Sequence, residues 1–510
     1  MPSIARGGLV NLVGAAVSAV TGVLLVVVVT RTLPQSDAGA FFALTSVFLL
    51  AETVARLGTG TGVVYFVARL RSLGQPERIR AVQRVALTPV VTLSAIVATA
   101  LAIWAPQIAE FLGTPADGTR SAIVALALLL PVAALSDTLL AATRGHGAML
   151  PTAAVDRVGR PLLQLTLVAV AVSNGSAAVL AGAWALPWVL SAALAWWWLL
   201  RLTRCLPPAA AGGPGLETWR EFWSFTAPRA VNSLVQLALQ RLDIVLVTAL
   251  AGPAEAAVYT AATRFLVVGQ LTTSAISTAA QPRLAGVLAV GDHASARSVY
   301  QSATAWVVLL TWPLYLLCGV FADTVLTVFG AGYEAGRPVV LVLVGATLLA
   351  TACGMVDMLL NMAGRTSWTL ANSVVALAVM VVVDLALIPR LGILGAGIGW
   401  AAAIVVNNLL PLGQLLASTR LHPFGAATVR GAALSAVCFG ILPVTALLLV
   451  PGNAAATTVA ALVGLALFVV ALRRWRAALG LPALRTVLTR TPRRTTARRD
   501  VDRARTGEIQ

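Results

Sequence analysis

Asp137-Thr138-Leu139-Leu140, near the end of one apolar run, returns as Asp357-Met358-Leu359-Leu360 near the end of another, and each copy then reaches a Gly/Arg pair. The same offset, about 220 residues, relates the turn Asp37-Ala38-Gly39-Ala40-Phe41 to Glu255-Ala256-Ala257-Val258-Tyr259, and such duplication of apolar segments is how many secondary transporters are built. The chain therefore reads as two homologous halves with a path between them.

Composition sets the solvent. With 59% hydrophobic residues, 11% charged ones and a mean hydropathy of +0.89, the 510 residues are too apolar for a soluble protein of this length. A span needs about 20 mainly apolar residues, and on that rule about fourteen are expected: 9–30, 38–58, 82–104, 121–143, 151–172, 177–200, 222–250, 256–280, 300–321, 338–360, 367–388, 393–417, 429–450 and 455–472. The expected fold class is all-α: a polytopic membrane protein with two pseudo-symmetric six-helix bundles plus two C-terminal helices. Its domains would be an N-terminal lobe over 1–204, a cytoplasmic Pro/Gly/Ala linker over 205–217, a C-terminal lobe over 218–420, two extra helices within 421–472, and a basic tail over 473–510 that cannot bury a core and rests on anionic lipid headgroups.

An even number of spans per half makes the repeat parallel, related by an axis along the membrane normal. Arginine placement orients it. Arg69, Arg71, Arg78, Arg144, Arg201, Arg220, Arg283, Arg297, Arg365, Arg420 and the tail fall on one side, while Arg31, Arg120, Arg337 and Arg390 fall on the other among most of the loop acids; both termini are expected in the cytoplasm.

Charged groups at mid-bilayer cost roughly 2.5–3.5 kcal/mol each, so those present should face a cavity or a partner. In the seventh expected span Arg229, Asn232, Gln236, Gln240 and Asp243 are spaced 3, 4, 4 and 3 residues apart and share one face; Arg241 points the other way. The second span aligns Phe41, Thr45, Phe48, Glu52, Arg56 and Thr59 on one face, where Glu52 and Arg56 stand one turn apart and can neutralise each other until an incoming anion competes for the arginine. A purely structural ion pair is the alternative. The eighth span collects Thr263, Gln270, Ser274, Ser277 and Gln281, with Arg264 at the border, groups suited to sugar hydroxyls or to ordinary helix–helix hydrogen bonding. Asp137, Asp357 and Asp384 read most simply as helix-end acids in structural salt bridges. The four cysteines are scattered and the three histidines lack ligand spacing, so no metal site or disulfide framework is indicated. No phosphate-binding G-x-x-x-x-G-K-[ST] loop occurs, no cofactor is implied, and nucleic-acid binding is excluded by the lack of a folded reader.

Thr30-Arg31-Thr32-Leu33-Pro34-Gln35-Ser36-Asp37-Ala38-Gly39-Ala40-Phe41-Phe42, with its echo before Tyr259 and Leu391-Gly392-Ile393-Leu394-Gly395-Ala396-Gly397 before the twelfth span, resembles the polysaccharide transporter flippases of the multidrug, oligosaccharidyl-lipid and polysaccharide exporter (MOP) superfamily. The resemblance implies two six-helix bundles, alternating access, and as cargo a polyprenyl-pyrophosphate-linked oligosaccharide moved to the outer leaflet of a bacterial cytoplasmic membrane, with a glycan polymerase or glycosyltransferases as partners. It also implies a cationic cavity, whose role falls by position on Arg56, Arg229 and Arg264, with Asn232, Gln236, Gln240, Thr45, Gln270 and Ser274 replacing water around the sugar. Glu52 and Asp243 are the acids for ion coupling. Two rivals remain open: a drug or cation exporter of the same superfamily, and a polyprenol-dependent glycosyltransferase or polymerase. The latter is disfavoured by short outer loops without paired carboxylates.

Overall fold

The computed structural model describes residues 2–114, 117–174, 176–204, 206–207, 216–451 and 453–476, with the backbone alone for residues 2–10, 174 and 216. Most of the expected linker and the tail beyond residue 476 lie outside the described residues. Among those described, every regular element is helical, as a hydrocarbon solvent demands of a chain that must satisfy its backbone within each segment.

Among the described residues twelve helices are long and apolar enough to cross a membrane, and the protein is a multi-pass membrane protein. The sequence count of about fourteen differs by the fifth and eighth expected spans, and each difference has a cause. The fifth begins as a wide π segment, Thr152–Gly159, continues as the α-helix Arg160–Ala171, and carries Asp156, Arg157 and Arg160 in its opening turns. The eighth is split into Pro253–Ala262 and Leu266–Ala289, and its polar stripe lowers its apolarity.

Contacts between helices divide the chain into two compact units. The first comprises Met1–Leu271, Leu317–Ala350 and Thr366–Pro411; the second comprises Thr272–Leu316, Thr351–Arg365 and Leu412–Gln510. In the first, Val63, Phe66, Val67, Leu139, Leu199 and Phe222 form one core, and Val235, Leu239, Ala376, Met380 and Ala403 form another. In the second, Leu284, Tyr300, Leu360 and Leu415 centre a separate core.

Glycine governs how closely helices approach in the first unit. The helix Gln35–Arg56 stops at Leu57 (φ 51°) and Gly58 (φ 67°), and a new helix, Thr59–Ser72, leaves at a changed angle. A Cβ on Gly58 would lie 2.6 Å from the Ala230 backbone nitrogen, and one on Gly62 would lie 2.2 Å from Thr226 Oγ1. Only hydrogen fits there.

Candidate functional site

Glu52 and Arg56, one turn apart at the end of the helix Gln35–Arg56, do form the pair the spacing predicts: Arg56 Nε lies 2.8 Å from Glu52 Oε1, close enough to pair but without hydrogen-bond alignment. Arg56 Nη1 also donates to Asp137 Oδ2 at 3.0 Å. Asp137 in turn meets Arg160 at 3.5 Å, Arg160 meets Asp156 at 2.5 Å, and Asp156 lies 3.8 Å from Arg157. The result is one chain of alternating charge running through three stretches of sequence. Trp188 closes its apolar side, with the Arg160 guanidinium 4.6 Å from the ring centre, and behind it Trp184 packs edge to face on both Phe48 and Trp188, which are tilted against each other.

A cavity of ≈ 390 Å³ opens beside this chain. The helix Asp117–Gly145 presents Asp137, Leu140 and Arg144 to it, three positions on one face at spacings of 3 and 4. The π segment adds Thr152, Asp156 and Arg157, and the helix Pro2–Thr32 adds Asn11. Close approach makes the enclosure possible: a Cβ on Gly14, one turn beyond Asn11, would come within 2.9 Å of Arg157 Cβ. The π geometry has a local cause as well, since Pro161 supplies no N–H to the turn before it.

The cluster holds four guanidiniums (Arg56, Arg144, Arg157, Arg160) and three carboxylates (Glu52, Asp137, Asp156), a surplus of one positive charge when all are ionised. Arg144 carries that surplus. Its Nη1 donates to Thr152 Oγ1 at 3.2 Å, and among the described residues no carboxylate lies within ion-pair distance of it.

The other expected site residues, Ser274 excepted, fall elsewhere in the first unit. Gln236 donates to Ser373 Oγ at 3.0 Å, and Ser373 donates to Asn407 at 3.5 Å, a polar link between three helices. Asp243 is buried; its Oδ2 accepts from Tyr259 at 2.6 Å and its Oδ1 from the Ile244 backbone. Asn232 has a buried amide oxygen with no hydrogen-bond partner, Gln240 and Gln270 are exposed, and the Thr45 hydroxyl bonds back to Phe42. Arg264 donates to Thr260 O at 3.0 Å, and Arg229 is exposed, its guanidinium 3.6 Å from the Phe225 ring centre. Ser274 belongs to the second unit. Arg56 and Glu52 are therefore brought together with carboxylates and arginines, whereas Arg229 and Arg264 are held by their own helices.

Sequence reasoning passed over Asp156, Arg157, Arg160 and Arg144. The signal was three charges, Asp156, Arg157 and Arg160, in the first turns of one span. Asp384 also differs from the salt bridge expected of it: both carboxylate oxygens are buried without a hydrogen-bond donor among the described residues, and a Cβ on Gly399 would sit 1.9 Å from Oδ1, so glycine makes the space it occupies.

The chain matches the family model for polysaccharide biosynthesis proteins over residues 4–287, and that for MatE over residues 228–386. No curated protein matches it. Among solved structures, the lipid II flippase MurJ in an inward closed conformation aligns with 91% of this chain and 98% of its own at a TM-score of 0.69 and 10% identity. An inward-facing multidrug resistance MATE transporter of the MOP superfamily aligns with 80% and 98% at 0.61 and 15%. A MOP superfamily transporter from Pyrococcus furiosus aligns with 82% and 96% at 0.53 and 17%. These likenesses show the fold; the families and neighbours are those of transporters and flippases, not of enzymes. Matched over more than half its length, and folded as the MOP transporters are, the chain belongs to the polysaccharide biosynthesis protein family.

Proposed function

We propose that this protein is a flippase that carries a polyprenyl-pyrophosphate-linked oligosaccharide from the cytoplasmic to the outer leaflet of a bacterial cytoplasmic membrane by alternating access of two lobes, 1–204 and 218–420. The observation that carries the reading is the polar cavity at Arg56, with its surplus guanidinium. Only the pyrophosphate and the sugar need shelter from hydrocarbon; the polyprenyl tail stays in lipid. Guanidiniums neutralise a diphosphate through paired, charge-assisted hydrogen bonds, and the Gln236–Ser373–Asn407 link offers amides and a hydroxyl to a sugar. Asp243, buried with Tyr259 and the Ile244 backbone as its donors, and the bare Asp384 suit coupling to an ion gradient, because a buried carboxylate is stabilised by a proton or a cation.

The MatE match and these buried acids favour a second reading, export of an organic cation. One experiment separates the two. Deletion of the gene should make lipid-linked oligosaccharide accumulate on the cytoplasmic leaflet, and neither Arg56→Ala nor Arg229→Ala should restore export of surface glycan at normal protein abundance. Normal glycan export in the deletion strain, accompanied by new sensitivity to cationic drugs, would decide for the exporter.

A further inference from the structure

The guanidiniums around the cavity differ in how firmly they are already held. Arg56 is bound twice, at 2.8 Å by Glu52 and 3.0 Å by Asp137, and Arg160 is bound at 2.5 Å by Asp156. Among the described residues Arg157 has only a 3.8 Å approach to Asp156, and Arg144 has only the Thr152 hydroxyl. The two weakly held groups both line the cavity, one from the helix Asp117–Gly145 and one from the π segment, with Asn11 and Thr152 as further polar groups. At the same place the chain exposes apolar side chains, Met149 at 47% and Leu150 at 56%, between the two arginines in sequence.

We infer that Arg144 and Arg157 form a receiving site for the phosphate groups of a lipid headgroup, engaged before Arg56. The inference deepens the flippase reading and rests on it for the identity of the cargo. An arriving phosphate takes Arg144 without breaking any ion pair and Arg157 by giving up one long contact, whereas Arg56 must release Glu52 or Asp137. Weakly held guanidiniums from two segments suit a tetrahedral oxyanion, whose several acceptor oxygens can engage both. The exposed apolar pair beside the mouth suits a ligand whose other end is hydrocarbon. The ligand chemistry is thus a phosphorylated lipid, either the diphosphate-linked cargo or a resident anionic phospholipid.

The test uses the full chain in phosphatidylcholine vesicles with inorganic pyrophosphate as probe. Arg144→Gln and Arg157→Gln should each weaken binding about tenfold and the double variant about a hundredfold, while Arg144→Lys keeps most of it. Unchanged affinity in a double variant that melts like the wild type overturns the site. A measurement on the wild type stands even if the double variant does not fold: modification of arginines by a dicarbonyl reagent, read by mass spectrometry, should be slowed at Arg144 and Arg157 by pyrophosphate, and equal rates with and without it overturn the site. In vesicles containing phosphatidylglycerol, loss of pyrophosphate protection assigns the site to a resident lipid, and retained protection assigns it to the cargo; both support phosphate recognition. Failures are distinguishable, because lost export with intact pyrophosphate binding overturns this site and leaves the flippase reading in place, whereas lost binding with intact export supports the anion site and removes it from the transport route.

Discussion

Arg56 stabilises its surroundings and is proposed to bind substrate, and the two roles can be separated. Glu52 is 3% exposed and has Arg56 as its ion-pair partner. Removing one member of a buried pair typically costs about 3–5 kcal/mol because the other charge is left without compensation, so Arg56→Ala should lower the melting temperature as well as stop export. Arg56→Ala combined with Glu52→Gln removes the stranded charge and should recover most of the stability without recovering export. Export restored in the double variant would show that the arginine serves packing alone. Of this cluster, the sequence displayed the i,i+4 pair and marked Asp137 by its repeat, since both are local or duplicated patterns. It did not display Arg160 as a bridge between Asp137 and Asp156, because that meeting depends on a π turn before Pro161 and on Gly14 lying against Arg157. Arg229 shared a stripe with Asn232 and Gln236, yet it sits on Phe225, an aromatic face one turn away on the same helix.

The helix pair Gln35–Arg56 and Thr59–Ser72 is fastened along its inner half to the helix Leu216–Ala251 by two unlike devices. One is the ion pair Arg69–Glu221 at 2.6 Å, with both side chains nearly half exposed (46% and 43%). The other is the glycine contact at Gly58 and Gly62, backed by Tyr65 stacked on Phe225 at 4.2 Å. Exposed pairs contribute at most about 1 kcal/mol, so Arg69→Ala should change stability little. Gly62→Val should act strongly, since its Cβ would lie 2.2 Å from Thr226 Oγ1 and 3.0 Å from the Phe222 ring; the contact must open. A cysteine placed at Thr226 in a background without the native cysteines should then react faster with a water-soluble thiol reagent in Gly62→Val than without it. Equal rates would show that the helices accommodate the side chain by local adjustment. The run Gly58-Thr59-Gly60-Thr61-Gly62 was visible in the sequence, but within an apolar span it reads only as flexible or close-packed. What it packs against is tertiary information.

The duplication that the sequence shows most clearly is also where the molecule is least symmetric. Asp137 lies in an unbroken helix and is tied to two arginines, whereas its repeat-mate Asp357 follows a break at Gly354 (φ 72°) and keeps a buried Oδ1 without a partner. Symmetry of sequence therefore sets the architecture, and divergence at equivalent positions separates a charged cavity in one repeat from a bent helix in the other. A transporter of this plan needs two closures that never open together. In the first unit two sets of contacts are the candidates for them: at one end the Arg69 and Gly62 contacts, and at the other Arg31, which donates to the carbonyls of Val328 at 2.7 Å and Thr327 at 3.1 Å, with Gln35 reaching Ala331 and Gly39 pressed on the Pro253 carbonyl. Arg31 meets the last carbonyls of the short helix Ala322–Thr327, the end where a cation is favoured. If these are alternating gates, fixing either one stops the cycle. Pairing Arg69→Cys with Glu221→Cys, and separately Gln35→Cys with Ala331→Cys, in a background free of native cysteines, should abolish glycan export after treatment with a short reducible bis-thiol cross-linker, and reductant should restore it in both. Export that continues with the Gln35–Ala331 pair fully cross-linked would mean that this end stays shut throughout transport, and that the cargo crosses by a path other than one alternately opened between the halves.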